Sequence, residues 1–282
     1  MMQSPKLMAV LAHPDDECLG VGGTLAKYAS EGVGVFLLTA TRGDRGRYRG
    51  FGPDDHRHPG PAALANIREG ELRAAASALG VREVSLLEYG DQLLDRANPR
   101  EIVAAIAGHL RRIEPDVVVT FGPDGAYGHP DHIAISQFTT AAVVAAANPE
   151  FLTRGVGAEQ PHAVSKLYYV AWPELAWKAY QAAFRKLVST VDGIERQAVP
   201  WPDWAITTVI DTRSYWSTVW RAISCHESQV SAYERLNQLS LDDHEALWGR
   251  QSFYRAFSTV SGGRTLETDL MEGICAWTTN EQ

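Results

Sequence analysis

The chain has 282 residues, 45% hydrophobic and 21% charged, with 26 basic and 34 acidic groups that leave a formal charge of −8. A chain of this length and composition can bury a substantial core, which excludes wholesale disorder. The negative balance argues against a nucleic-acid binder or a protein held on an anionic membrane. Three cysteines, Cys18, Cys225 and Cys275, are far apart and odd in number, so neither a disulfide framework nor a cysteine-based zinc site is read from them. The apolar run at 7–12 is too short for a signal-peptide core. The uncharged stretch at 133–149 carries polar interruptions, so no membrane span is expected and a cytoplasmic location is. All eight Trp fall between Trp172 and Trp277.

In chain order, a buried strand at 7–12 leads to a helix at 22–30 and a second strand at 33–40. The stretch 41–61, rich in Arg, Gly, Asp, His and Pro and without apolar period, reads as a functional loop. A long helix over 62–79 stops at Gly80, and a short strand follows at 83–88. Pro99 opens a helix over 99–113. A strand at 116–121 and a helix over 131–147 complete the alternation. This pattern predicts an α/β, Rossmann-like fold: a mostly parallel sheet with helices on both faces. Beyond residue 150 the pattern loosens into a smaller C-terminal α+β extension. Strands are expected there at 166–171 and 206–210, helices at 174–188 and 213–225, and a loop over 197–204. Trp216 and Trp220 have the spacing of one buried helix face. Most of the Trp are expected in core or subunit contacts, with stacking on a sugar ring as their other use.

Two segments carry the chemistry. The first strand runs straight into Ala12-His13-Pro14-Asp15-Asp16-Glu17, one imidazole and three carboxylates within five residues. The fourth strand ends in a run that includes Tyr127-Gly128-His129-Pro130-Asp131-His132. In open α/β sheets ligands bind outside the carboxyl ends of the strands, and the first and fourth strands can be neighbours at the switch point. Each segment alone also reads as a helix cap. Two His-Pro-Asp segments, each after a buried strand, favour one shared crevice and a metal held by imidazole and carboxylate. The glycines Gly20, Gly22 and Gly23 lack the spacing of a dinucleotide loop and read as close helix–sheet packing.

The first segment, followed by Gly20-Val21-Gly22-Gly23-Thr24-Leu25, together with Gly128-His129-Pro130-Asp131-His132, resembles the LmbE/PIG-L family of zinc-dependent N-deacetylases. Thr41-Arg42-Gly43, Arg68 with Glu71, and His226 with Ser228-Gln229 add to the likeness, which is dense over 7–135 and thin beyond 150. The resemblance implies one Zn2+ per chain, or Fe2+, on His13, Asp16 and His132, with Asp15 as general base. It places Tyr127 and His129 at the developing oxyanion, and Asp131 behind His129, orienting it and raising its pKa. Asp15 or His129 would protonate the leaving amine. Arg68, Asp91 and Arg42 are the substrate-contact candidates, Arg42 being the loop arginine nearest the strand. His226 and Gln229 would support the wall of the metal site. The implied reaction removes the acetyl group from an N-acetylglucosamine-type amino sugar. An amidase of a thiol-sugar conjugate, or a sugar-binding module with a remnant metal site, are the alternatives. The whole chain, 1–282, is expected to be one domain, with 1–150 fixing the reaction and 151–282 selecting the substrate or contacting a second copy in a homo-oligomer.

Overall fold

The computed structural model describes residues 4–153, 160–184, 188–191, 194–197, 199–229, 236, 238–263 and 265–274. The first half contains β1 (Lys6–Leu11), α1 (Asp16–Leu19), α2 (Gly22–Ser30), β2 (Gly34–Thr41), α3 (Pro61–Ala78), β3 (Glu83–Tyr89), α4 (Pro99–Ile113) and β4 (Val117–Phe121). A kinked turn, α5 (Gly125–Gly128), leads into α6 (Pro130–Ala147). The remainder holds β5 (Lys166–Val170), α7 (Glu174–Phe184), β6 (Val188–Val191), β7 (Ile194–Gln197), β8 (Thr208–Asp211), α8 (Trp216–Ile223), α9 (Leu241–Trp248) and β9 (Arg250–Ser258).

Seven strands form one sheet in the order β3-β2-β1-β4-β5-β9-β8. The first five are parallel neighbours, while β9 runs antiparallel to β5 and β8 antiparallel to β9. Leu7 through Leu11 are 0% exposed, because both faces of this sheet are covered, which is why β1 is a continuous apolar run. The strand order reverses between β1 and β4. The crevice at their carboxyl ends therefore receives both chemistry-bearing segments. A Cβ added to Gly23 would lie 2.7 Å from Thr212 Cβ, and one on Gly22 3.4 Å from Val219. These glycines serve close packing of α2 against the C-terminal part.

The C-terminal part differs from the sequence reading in several places. Of the helix expected over 174–188, α7 covers Glu174–Phe184, residues 185–187 lie outside the described residues, and Val188 already belongs to β6, which pairs with β7 as a separate hairpin. Gln197, expected in a loop, closes β7. The expected helix at 213–225 is a 3-10 turn, Arg213–Tyr215, followed by α8. Helix α9 and strand β9 were not foreseen. The β9 sequence, Arg-Gln-Ser-Phe-Tyr-Arg-Ala-Phe-Ser, alternates and carries two arginines, yet it lies inside the sheet between β5 and β8. Buried Glu267 ties these three strands, accepting from Lys166 Nζ (3.0 Å), Tyr168 Oη (2.8 Å) and Thr208 Oγ1 (2.8 Å), with Arg255 completing the cluster.

The tryptophans mostly pack inward. Trp248 is fully buried, Trp172 stacks on Tyr180 at 4.3 Å, and Trp201 leans on Tyr254 at 5.5 Å. Trp216 and Trp220 flank the ring of His244. Trp204 is 87% exposed, and Trp277 lies outside the described residues. Among the described residues no helix is long and apolar enough to cross a membrane.

Candidate active site and metal centre

The chain leaves β1 through Ala12 and turns at once into α1. Asp16 makes this turn possible: its Oδ2 accepts the main-chain N–H groups of His13 (2.8 Å) and Ala12 (3.2 Å). That leaves Oδ1 facing His132 Nε2 at 3.3 Å. Between them, Asp15 adopts φ +110°, a conformation an L residue rarely takes. From β4, Phe121 stacks face to face on the His132 ring at 3.9 Å and sets its orientation. Gly125, at φ +63°, is required where the turn passes under α6, because a Cβ there would lie 2.7 Å from Ile133. His132 then sits in the first turn of α6, with His129 as its N-cap residue.

His13 Nε2 lies 3.0 Å from Asp131 Oδ2 and 3.2 Å from Asp91 Oδ1. Facing two carboxylates, this nitrogen is the one that keeps its proton when His13 gives up the other to a metal, and Nδ1 then turns a lone pair toward His132 Nε2, 3.2 Å away. Asp16 Oδ2 is 3.7 Å from the same Nδ1. Two imidazole nitrogens and a carboxylate oxygen converging on one point are the donor set a divalent metal takes. The three residues expected as ligands, His13, Asp16 and His132, are therefore brought together. His129 also lies within reach of His13 and His132, and His13 forms another such group with Asp91 and Asp131.

The electrostatics follow from burial and these contacts. Burial alone would lower His13, but hydrogen bonds to Asp131 and Asp91 and the charge of Asp16 overcome it and raise it to about 10. Burial would raise Asp16, yet the charge and hydrogen bond of His132, with those of His13, hold it well below the usual carboxylate range. Asp91 is held at about 2: burial opposes ionisation, but His13, Arg68 and the Arg45 N–H prevail. Burial and the charges of Asp16, Asp15 and Asp91 push the Tyr127 phenol far up, so it stays an O–H donor.

Asp131 departs from its expected contact. Its carboxylate bonds His13 and accepts the N–H groups of Gln92 (2.7 Å) and Leu94 (3.0 Å), while only its main-chain N–H meets His129 Nδ1, at 3.1 Å. The helix start explains this: the N-cap side chain takes the backbone donor two residues on, which turns the Asp131 side chain toward β1. The expected rise of His129 does not occur. Burial and the positive charge of His132 and His13 outweigh Asp131 and Asp16 and push it down to about 3. Its Nδ1 is an acceptor, so neutral His129 carries its proton on Nε2.

The cleft over these groups is lined by His13, Asp15, Asp16, Tyr127 and His129, with Gly46, Arg68, Asp91, Gln92 and Gln229 around them. Arg68 is only 4% exposed and is not a surface partner of Glu69 or Glu71. Its guanidinium donates to Pro14 O, Gly43 O (3.0 Å) and Asp15 Oδ2 (3.2 Å). Gly43, at φ +63°, permits this, since a Cβ would lie 2.1 Å from the Arg68 guanidinium. Asp91 lines the cleft but is spent on His13 and on the Arg45 N–H (3.0 Å). Arg42 is absent from the cleft and pairs with Glu69 (3.3 Å) and Glu88 (3.7 Å). Gln229 reaches the cleft after donating to Arg47 O (2.8 Å), and Ser228 donates N–H and O–H to Glu71 (2.7 Å each), so the 226–229 segment pins the 41–61 loop. Sequence reasoning missed Gln92 and Gly46, which no motif marks, and gave Glu17 no role although it closes the first motif.

A family profile described as GlcNAc-PI de-N-acetylase (PIG-L) matches residues 8–143. A relative from Kineococcus radiotolerans, named 1D-myo-inositol 2-acetamido-2-deoxy-alpha-D-glucopyranoside deacetylase, is 35% identical, covering 96% of this chain and 84% of its own length. The N,N'-diacetylchitobiose deacetylase of Pyrococcus horikoshii superposes with a TM-score of 0.65 at 21% identity, covering 90% of this chain and 84% of that one. The 4-carboxy-2-hydroxymuconate hydratase of Pseudomonas putida does so at 0.67 and 19%, covering 92% and 99%. A hydratase and a deacetylase share this fold, so the site rather than the fold decides the chemistry.

Proposed function

The chain belongs to the PIG-L family of GlcNAc-PI de-N-acetylases, and from that premise we propose that it hydrolyses the acetamide of an N-acetylglucosamine-type sugar carried on an inositol ring, releasing the free amine and acetate. The observation that carries the reading is the convergence of His13 Nδ1, buried His132 Nε2 and Asp16 Oδ1, with His13 and Asp16 lining one cleft together with Asp15. The name borne by the Kineococcus relative supports inositol as the aglycone. The seven-stranded sheet running through both halves supports reading 1–282 as one domain.

His13, Asp16 and His132 would hold a zinc ion, and Fe2+ suits the same donors. When bound, zinc supplies Lewis acidity to the amide carbonyl and lowers the pKa of water beside it. Asp15 takes the proton from the attacking water as the C–O bond forms. Arg68, bonded to its Oδ2, aims it. Tyr127 O–H and His129 Nε2–H donate to the oxyanion as charge develops. Neutral His129 has no proton to spare, so Asp15 returns its proton to the amine nitrogen as the C–N bond breaks. Arg68 and Asp91 border the space left for sugar hydroxyls; Arg42 does not.

The test is amine release from a panel of N-acyl glucosamine conjugates, with untreated, chelated and zinc-restored enzyme. We expect turnover of the N-acetyl inositol conjugate, lost on chelation and regained with zinc. Asp15→Ala should lower kcat by about 10²–10⁴-fold, the span of general-base catalysis, with metal content unchanged. Full activity in a sample shown to be metal-free would overturn the proposal. Preference for an N-cysteinyl over an N-acetyl conjugate would return the thiol-conjugate amidase reading.

A further inference from the structure

Glu17 closes the first motif yet takes no place in the cleft. It and His226 are both 0% exposed, and His226 Nε2 lies 2.7 Å from Glu17 Oε1 across a sequence separation of 209. The same Oε1 accepts the Cys18 thiol at 3.0 Å. The other oxygen, Oε2, accepts the main-chain N–H of Asp15 at 2.9 Å. Asp15 is the residue held at φ +110°. Such a backbone persists only where its surroundings over-determine it. An apolar pair would fill the same volume with less desolvation. What the carboxylate and imidazole add is direction: one oxygen anchored to the C-terminal part, the other holding the Asp15 amide.

We infer that the His226–Glu17 pair is a positioning device that locks the main chain of Asp15 and thereby aims its carboxylate into the cleft. Both residues are fully buried, and neither lines the cleft. The grip on Asp15 is then two-ended. Glu17 holds the amide, and Arg68 Nη2 holds the carboxylate at 3.2 Å. It also gives residues 226–229 a purpose beyond lining: they carry the far end of the strut. The consequence for rate rests on the deacetylase reading; the consequence for the Asp15 main chain does not.

The experiment combines kinetics with amide exchange. Glu17→Ala should lower kcat about ten- to a hundredfold, the scale of an ångström-sized misplacement, with KM within about twofold and metal content unchanged. Glu17→Gln, which keeps an acceptor for the Asp15 amide, should recover most of that loss. In the Asp15→Ala background, Glu17→Ala should cost nothing further, because its effect passes through Asp15. Should Glu17→Ala fail to fold, His226→Phe removes the donor at similar volume and should lower kcat about tenfold, with His226→Gln partly restoring it. In metal-free protein, the Asp15 amide should exchange slowly in the wild type and faster in His226→Phe. Additive losses with Asp15→Ala, loss of metal from Glu17→Ala, or equal Asp15 protection in wild type and His226→Phe would each overturn the inference. If the wild type deacetylates nothing, the deacetylase reading fails, and the exchange comparison still decides whether the strut exists.

Discussion

His13 is held from behind by two carboxylates, and this pair would decide how well it serves as the proposed ligand. Asp131 at 3.0 Å and Asp91 at 3.2 Å from Nε2 fix the tautomer and make Nδ1 a stronger donor. Asp91 was expected on the substrate. Its contacts put it at the junction of the 41–61 loop and His13, since its Oδ2 also receives the Arg45 N–H. Losing such a partner typically weakens metal affinity by about 10–100-fold. Asp131→Asn and Asp91→Asn should each show a loss of that order when the protein competes with a chromogenic chelator. Asp131→Asn keeps acceptors for Gln92 and Leu94, so the fold should survive. An Asp91→Asn protein that binds metal as tightly as wild type but needs more sugar to saturate would restore Asp91 to the substrate.

Glu267 does for the C-terminal strands what hydrophobic contacts do for β1 to β4. Lys166, Tyr168, Thr208 and Arg255 come from three strands and converge on one buried carboxylate. Burial would raise its pKa, but the hydrogen bonds from Lys166, Tyr168 and Thr208 and the charge of Lys166 hold it below the ordinary 4.5. The folded pKa is depressed, so the contribution is fully present above the unfolded value and is lost as pH falls through the folded one. Glu267→Gln should cost about 3 kcal/mol near pH 7, as breaking a buried pair does. In denaturant titrations the gap from wild type should narrow once the pH drops below about 4. A gap independent of pH would show that shape rather than charge holds the three strands. This is also where the sequence was hardest to read. The parallel strands β1, β2 and β4 announce themselves as apolar runs. β9 is stabilised by partners scattered from Lys166 to Glu267, and its own alternation with Arg250 and Arg255 resembles a solvent-facing segment.

Across the whole molecule, the candidate ligands legible in the sequence are those that follow directly from strand ends. His13 and Asp16 leave β1, and His132 follows β4. Local spacing reveals them, and strand order then brings them together. What stayed hidden joins distant segments: Glu17 to His226, Asp131 to His13 rather than to its neighbour His129, and Arg68 to Asp15. A metal at His13, Asp16 and His132 would itself be such a link, spanning 119 residues between His13 and His132. It should therefore stabilise the fold as a whole. At a free concentration a hundredfold above Kd, a ligand of the native state adds about 2.7 kcal/mol. For a chain of this size that is a rise of about 5 °C in Tm. Zinc added to the metal-free protein should produce that rise in scanning calorimetry. His132→Ala should abolish it, and Glu17→Ala should keep it, because Glu17 is outside the ligand set. The alternative group of His13, Asp91 and Asp131 makes the opposite forecast: the rise would survive in His132→Ala and vanish in a variant lacking both Asp91 and Asp131 carboxylates.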